Sequence, residues 1–355
     1  MMKLVEIIDG IKPVERQWID KAQQRTAQLV MPARALGRLH DISERFCGIQ
    51  QTLEPKITKK AILVMAGDHG VVTEGVSAYP QEVTPAMVQT ILAGGAGINA
   101  ISRQVGADVW VLDMGIIPQL DISSIPGADR LIVEKIGNGT ANFTTRPAMS
   151  RRDAEKALRV GFEQASRLIE DGADLLGTGD MGIGNTTPSA AIGAVLCGAS
   201  LDAMVGRGTG VDAAALARKR DIVQQGIKIN RPDAEDGLDV LAKVGGFEIG
   251  GIAGTILAGA YHRQAVVLDG FISTAGALIA HALCPTVTDY IFAGHRSEEA
   301  GHGIMLRHLG LEPILDLGMR LGEGTGAALA MGVIEGAVRM FKEVLTFEEA
   351  GVVSS

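Results

Sequence analysis

The chain is poor in aromatic side chains, which make up 4% of its 355 residues, while glycine occurs 46 times. This excludes a core built on stacked rings and points to aliphatic packing with close backbone approach, as glycine-rich α/β sheets require. Net positive charge is missing too: 33 Lys and Arg stand against 41 Asp and Glu, a formal charge of −8. No global basic field for nucleic acid or an anionic membrane follows from that balance, so an anionic ligand has to be caught locally. Cysteine is rare, with Cys47, Cys197 and Cys284 far apart and no C-x-x-C pair. An odd, scattered set suits buried thiols in a reducing compartment, and a cytoplasmic protein is expected. A leader-like apolar stretch is absent from "MMKLVEIIDGIKPVERQW", where Glu6, Asp9, Glu15 and Arg16 interrupt the apolar positions. Residues 270–288, "GFISTAGALIAHALCPTVT", lack formal charge over the length of a membrane span, but Gly, Ser, Thr, His and Pro dilute them. A buried helix is expected there, and no span.

What the chain does have is a recurrent pattern of short apolar runs that end in Gly plus a small or polar residue. "KKAILVMAGDHG" (59–70), "ADVWVLDMG" (107–115), "DRLIVEKIGNG" (129–139), "GADLLGTGD" (172–180), "QAVVLDG" (264–270) and "TDYIFAGH" (288–295) all follow it. Near-continuous apolar runs of this kind, alternating with longer helical patterns, predict a parallel sheet buried on both faces. The glycines then fall at the carboxyl ends of strands, where open α/β sheets place their ligands. Between them, residues 151–171 carry Ala154, Leu158, Phe162, Ala165, Leu168 and Ile169 at helical spacing, with Ser150 as the N-cap. The first fifty and last thirty residues read as helical and strandless, including 332–350.

Three glycine-rich turns carry the chemistry. In "GTGDMGIGNTTPSAAI" (177–192) an apolar run leads into glycines, then Thr187 and Pro188 predict an N-cap and first helical residue. A strand, a glycine nest and a helix N-terminus together aim backbone N–H groups at one point, which can hold a phosphate without a lysine. The spacing matches neither a dinucleotide fingerprint nor a Walker A loop, and by pattern alone a structural tight turn is an equal reading. A second nest, "AMVGRGTGVDAAALARKR" (203–220), runs through Gly206, Gly208 and Gly210 to Asp212 as N-cap and the cluster Arg218, Lys219, Arg220. Two nests and a cation could surround one phosphate monoester, although a solvated helix face accounts for two of the three charges. In the third, "LDLGMRLGEGTGAALAM" (315–331), Glu323 sits between glycines ahead of a helix beginning near Thr325. The helix dipole would favour its ionised form and burial would oppose it, a balance suited to a base near neutrality; an ordinary helix-stabilising acid is the plain alternative.

Two arrangements are set aside. His295, Glu299 and His302, at i, i+4, i+7, mimic a metal face on a helix, but the stretch is not H-E-x-x-H and two glycines flank it, so capping, packing or ion-pair roles are favoured. "AGDHG" (66–70) has an acid and a histidine, yet no G-x-S-x-G elbow accompanies it and a hydrolase triad is not expected.

The blocks "AGDHGVVTEGVSAYPQEVT" (66–84), "GNGTANFTTRPAMSR" (137–151), "GTGDMGIGNTTPSAA" (177–191), "GRGTGVD" (206–212), "LDGFISTAGAL" (268–278), "AGHRSEEAGH" (293–302) and "LDLGMRLGEGTGAALA" (315–330) follow one another in the order and spacing of a single family. From about residue 10 to about 345 the chain resembles the nicotinate-nucleotide:dimethylbenzimidazole phosphoribosyltransferases, which make the lower-ligand nucleotide of cobalamin. The resemblance implies transfer of phosphoribosyl from nicotinate mononucleotide to a benzimidazole nitrogen, releasing nicotinate and forming α-ribazole 5′-phosphate, with no cofactor and no metal. It implies a parallel Rossmann-like sheet with helices on both faces, about residues 40–300, and a small helical domain from about 1–39 with 301–355. A homodimer is implied as well.

On that resemblance Glu323 matches the catalytic base, with Asp180 beside the reacting centre. Gly182, Gly184, Asn185, Thr186, Gly208 and Lys219 match the part that grips the nucleotide phosphate, and Ser77, Tyr79, Gln81 and Leu321 the pocket for the aromatic acceptor. The donor's pyridinium is already a cationic leaving group, so the chemistry asks mainly for orientation and a carboxylate to take the azolium proton. Two positions depart from the family pattern: Asp180 replaces a glutamate and Ala86 a glutamine, which opens the acceptor to other benzimidazoles, purines or phenols. A non-catalytic nucleotide binder using the same loops is the alternative from another class. A phosphoribosyl-pyrophosphate enzyme would need an acidic Mg²⁺-binding run, and the sequence has none beside these loops.

Overall fold

The computed structural model describes residues 2–208, 210 and 212–352. Three helices, α1 (Leu4–Gly10), α2 (Arg16–Thr26) and α3 (Arg38–Gln50), precede the first strand. The central sheet is built from β1 (Lys60–Gly67), β2 (Ala107–Gly115), β3 (Leu131–Val133), β4 (Leu175–Met181), β5 (Ala265–Leu268) and β6 (Ile291–Ala293). Each of the six apolar runs supplies one of these strands. All pairings are parallel and the order is β3-β2-β1-β4-β5-β6. The chain leaves β1 toward β2 on one side and later returns to β4 on the other. The crevice outside the carboxyl ends of β1 and β4 is therefore the topological switch point, where doubly wound sheets bind ligands. All eight residues of β1 are buried, which is why no alternation of polar and apolar residues marks it.

Helices α4 (Val83–Leu92), α5 (Gly97–Val105), α6 (Arg151–Glu170), α7 (Thr186–Leu196), α8 (Leu201–Met204), α9 (Ala213–Asn230), α10 (Gly237–Val244), α11 (Phe247–Tyr261) and α12 (Phe271–Leu283) fill the crossovers. Ser150 caps α6 as the sequence indicates, its hydroxyl accepting from Asp153 N–H at 3.1 Å. Within the uncharged stretch 270–288, Phe271–Leu283 forms α12, buried from Phe271 to Ala280, and no described helix is long and apolar enough to cross a membrane. Packing of α11 on α6 is unusually close: a Cβ at Gly161 would overlap the Gly251 carbonyl, and one at Gly254 the Leu158 carbonyl. Small residues thus replace the missing aromatics in this layer.

Past the sheet, β7 (His295–Ser297) pairs in parallel with β8 (Leu315–Met319) around α13 (His302–His308), and α14 (Thr325–Glu343) closes the fold. This second, two-stranded sheet has no counterpart in the sequence reading, because its strands are short and β8 is largely exposed. Residues 295–302 are consequently a strand, a turn and a helix start, not the single helix face on which His295, Glu299 and His302 would align. Helix α14 also stops short of the predicted 332–350: Val344 is extended, and the following residues pair with the N-terminal segment through a Leu29–Thr346 bridge and Phe347 N–H donating to the Gln28 carbonyl at 2.9 Å. Tertiary pairing overrides local helical preference there. Cys47 and Cys284 are buried free thiols as expected, whereas Cys197 is half-buried. Burial pushes the Cys47 thiol up to about 12.

Candidate active site

Beside the switch point, on its β4 side, a cavity of about 300 Å³ opens at the carboxyl ends of β4, β5 and β6. Its walls include Asp180, Thr186, Gly208, Tyr79 and Leu321 from the sequence-predicted set, together with Phe271, His295, Glu299 and Arg320. The glycine-rich stretch that closes β4 divides into two tasks. Gly177 and Gly179 lie inside the strand, where a Cβ at Gly179 would stand 2.6 Å from the Glu323 carbonyl oxygen and one at Gly177 2.8 Å from Met331. They let α14 and the Glu323 turn press on the sheet. Gly184 makes the turn itself, with φ at +86°.

Glu323 is held behind the cavity wall formed by its neighbours Leu321 and Gly322, and only 4% of its surface is accessible. Its backbone adopts φ +63° between Gly322 and Gly324, which are also left-handed. Such strain in a non-glycine residue persists only where surrounding structure enforces it, and it clusters at functional sites. Here Glu323 N–H donates to the Asp180 carbonyl at 3.2 Å, fixing the turn to the end of β4. The carboxylate points to the start of α5, where its Oε2 accepts from Ile98 N–H at 3.0 Å and the Gly97 amide adds a second hydrogen bond. The dipole that acts on it is therefore that of α5, not of the helix beginning at Thr325. The first amides of α14 are already taken, because Asp269 accepts from Gly324 N–H at 2.9 Å and Gly326 N–H at 2.7 Å. Burial raises the pKa of Glu323 above the usual carboxylate range, and the two α5 amides oppose that rise.

Asp180 sits on the cavity side of this turn. Burial and the nearby Asp269 push it up to about 8, which favours its neutral form over that of an ordinary carboxylate at pH 7. Asn185 donates to its Oδ2 at 2.8 Å. Asn185 is thereby a positioning partner of Asp180, and it occupies the cap position of α7, which begins at Thr186. The expected cap at Thr187 with Pro188 first in the helix is displaced by two residues. Proline is tolerated at the third position for the same reason as at the first, since the opening turn has no intrahelical acceptors for its N–H groups.

At the other end of the cavity the two glycine nests meet. Lys219 is 1% exposed, and its Nζ donates to Thr186 Oγ1 at 2.7 Å and to the Gly206 carbonyl at 3.3 Å. Burial lowers its pKa to about 8, against the opposing charge of Glu299. Gly208, with φ +52°, approaches both groups: a Cβ there would stand 2.8 Å from Thr186 Oγ1 and 3.1 Å from Lys219 Nζ. Asp212 caps α9 as predicted, accepting from Ala215 N–H at 2.8 Å, while Thr209 and Val211 of this nest lie outside the described residues. Of the three clustered cations, Arg218 is exposed and Arg220 pairs with Asp202 at 3.1 Å, leaving Lys219 as the buried one. Gly182 does not line the cavity; a Cβ there would overlap the Gly67 carbonyl, so its role is close approach of β1 and β4.

Tyr79 and Leu321 form an apolar rim with Phe271 and Ile272. Ser77 and Gln81 are half-buried nearby and do not line this cavity; the Ser77 hydroxyl accepts from Tyr79 N–H at 3.1 Å, which shapes the rim, and the Gln81 amide nitrogen is buried without a hydrogen-bond partner. Ala86 is exposed on α4 and does not line the cavity either. His302 accepts from Ser297 N–H at 2.8 Å through Nδ1 and meets Thr274 Oγ1 at 2.9 Å through Nε2, a packing and hydrogen-bonding role. Among the described residues no group of three or more His, Cys, Asp or Glu side chains is arranged to hold a metal ion. Asp269 is the residue that the sequence reading missed. It ends the run "QAVVLDG" just as Asp68 ends "LVMAGD", and an acid following an apolar run before Gly was the available signal.

Comparison with known proteins bears on the family and the fold. Residues 11–352 match a family model described as phosphoribosyltransferase. The nicotinate-nucleotide–dimethylbenzimidazole phosphoribosyltransferase of Geotalea uraniireducens is 52% identical over 352 residues, covering 99% of each chain. The chain belongs to that family. The enzyme of the same name from Chloroflexus aggregans is 49% identical over 99% of this chain and 98% of its own. Among solved structures, CobT from Thermus thermophilus superposes with a TM-score of 0.91 at 46% identity, covering 96% of this chain and all of that one. Family membership makes the protein a transferase with the parallel α/β fold described above.

Proposed function

We propose that the chain transfers phosphoribosyl from nicotinate mononucleotide to 5,6-dimethylbenzimidazole or a related base, with the cavity at the carboxyl ends of β4, β5 and β6 as the site. The observation that carries the reading is one cavity lined at one end by Thr186, on which the buried Lys219 rests, and by Gly208, and at the other by Leu321 and Gly322, behind which the Glu323 carboxylate is buried. The phosphate end would hold the sugar while two flat rings align, which is catalysis chiefly by orientation. The acceptor nitrogen forms a bond to C1′ as the bond to nicotinate breaks, and that electron pair returns to the pyridinium nitrogen, releasing neutral-ring nicotinate. Attack from the opposite face inverts C1′. Glu323 then takes the N–H proton of the new azolium, and its carboxylate also offsets positive charge at C1′. Asp180, in its neutral form, is placed to donate a hydrogen bond to a substrate oxygen; being one methylene shorter than the family's glutamate, it leaves the cavity slightly larger.

The purified protein, given nicotinate mononucleotide and dimethylbenzimidazole, is expected to form nicotinate and the ribazole phosphate at equal rates, followed by chromatography. The reading fails if the donor is consumed without the second product or not at all. With the exposed Tyr79 and Leu321 forming part of the acceptor wall, other benzimidazoles, purines or phenols are expected to react as well, and a panel in which only dimethylbenzimidazole reacts would contradict this.

We also read the protein as a cytoplasmic homodimer. Supporting the pairing, Tyr79 and Leu321 on the cavity rim are 54% and 60% exposed and Leu317 on β8 is 62% exposed, apolar side chains that a second copy would cover. Light scattering is expected to give twice the 37.2 kDa protomer mass. A monomer at micromolar concentration would overturn the dimer.

A further inference from the structure

The phosphate end of the cavity already contains an anion. Glu299, in the turn between β7 and α13, lines the same wall as Thr186 and Gly208. Its carboxylate receives a hydrogen bond from the Gly208 amide and lies in the field of Lys219. The other oxygen, Oε2, is buried without a hydrogen-bond partner, against Gly206 so closely that a side chain at Gly206 would overlap it. The Gly208 amide that a phosphate monoester would need is thus engaged by the chain's own carboxylate, while the Lys219 ammonium, held by Thr186 and the Gly206 carbonyl, feels its charge without touching it. Two like charges cannot share that amide at contact distance, because a carboxylate and a phosphate repel strongly in a site shielded from water.

We propose that Glu299 stands in for the donor phosphate in the unliganded enzyme, and that nucleotide binding converts it to the neutral acid, whose O–H then donates to a phosphate oxygen. One proton is taken from solvent for each nucleotide bound; no other bond changes. The stand-in keeps the Gly208 amide in place while the site is empty, which reduces the ordering cost of binding. The conversion also favours a single phosphate whose oxygens match Gly208 and Lys219. The charged groups facing Glu299 are Lys219 from α9 and Arg320 from the segment after β8. Asp180, after β4, and His295, at the start of β7, share the cavity, whereas His302 is turned into Thr274 and Ser297. Burial raises the Glu299 carboxyl above its ordinary range, against both cations and the Gly208 amide, and the added charge of a phosphate acts in the same direction.

This inference rests on the phosphate end of the site as read above, and the test separates the two. Calorimetry of nicotinate mononucleotide binding at pH 7, in two buffers of different ionisation heat, is expected to show uptake of about one proton per nucleotide by the wild-type enzyme. Nicotinate riboside, lacking the phosphate, is expected to bind without it. Glu299→Gln, which donates a hydrogen bond without needing a proton, is expected to lose the uptake and to flatten the decline of affinity above pH 7. Removing Glu299 would leave Lys219 less able to keep its proton and so increase uptake there; a decrease therefore identifies Glu299 as the acceptor. Wild-type binding without proton uptake, or Glu299→Gln with uptake unchanged or increased, overturns the proposal, the first without reliance on any variant. Lys219→Met decides the underlying site: a loss of affinity of about tenfold or more keeps the phosphate there. If the affinity is unchanged, the phosphate is bound elsewhere and the inference falls with it.

Discussion

Glu323→Gln is expected to lower kcat by on the order of 10²–10⁴-fold while nicotinate mononucleotide still binds, because the amide keeps the shape of the side chain and loses the base. The two α5 amides at Gly97 and Ile98 would meet the Gln carbonyl oxygen in place of Oε2, so the left-handed turn at Glu323 has no reason to collapse. Equal thermal stability of the two proteins checks that point. In the wild type, the base is needed ionised and its pKa is raised by burial. Activity at saturating substrates should therefore fall as pH drops through a value above the ordinary glutamate range, and that limb should be absent from the residual activity of the variant. A Glu323→Gln enzyme with more than a tenth of wild-type kcat would remove the residue from proton transfer and leave it as a support for the turn.

Gly254→Ala is expected to destabilise the fold by about 3 kcal/mol, near the upper part of the usual range for overpacking. The added methyl would overlap the Leu158 carbonyl of α6 and stand 2.7 Å from the Phe162 nitrogen, and these are backbone atoms that no rotamer change can move aside. Either α11 shifts away from α6, opening the layer that backs β1 and β2, or the two helices lose contact at this crossing. Gly336→Ala, on the exposed face of α14, has nothing within 4 Å of its Cβ and is expected to act with the opposite sign, stabilising by up to about 1 kcal/mol through helix propensity. Chemical denaturation of both variants measures the contrast. A Gly254→Ala protein within about 0.5 kcal/mol of wild type would show that α11 and α6 have slack the structure does not display.

Much of this architecture is legible in the residues. The six strands of the main sheet coincide with six apolar runs, because a parallel strand buried on both faces has to be apolar throughout, and Ser150 and Asp212 cap the helices that their side chains announce. Lys219 is legible only in part: the cluster Arg218–Arg220 marks a basic turn of helix, but which of the three turns inward depends on where α9 lies against Gly206 and Thr186. The strands β7 and β8 are not legible, since three and five residues of mixed character carry no periodicity. The end of α14 is misread for a related reason, as the pairing partner of Thr346 lies at Leu29, more than three hundred residues away along the chain.

By itself the sequence determined the class of fold, the strand ends at which the glycines fall, the resemblance to one family and the identity of Glu323 as the acid flanked by glycines. Those are matters of period, capping and local backbone freedom, which act over a few residues at a time. Tertiary structure alone decided which groups meet. It brought the α5 amides to Glu323, set Asp269 across the start of α14, placed Asp180 beside them, and seated Glu299 on the Gly208 amide at the phosphate end. The charge states of these carboxylates follow from burial and from neighbours contributed by distant segments, and a sequence read in order carries no measure of either.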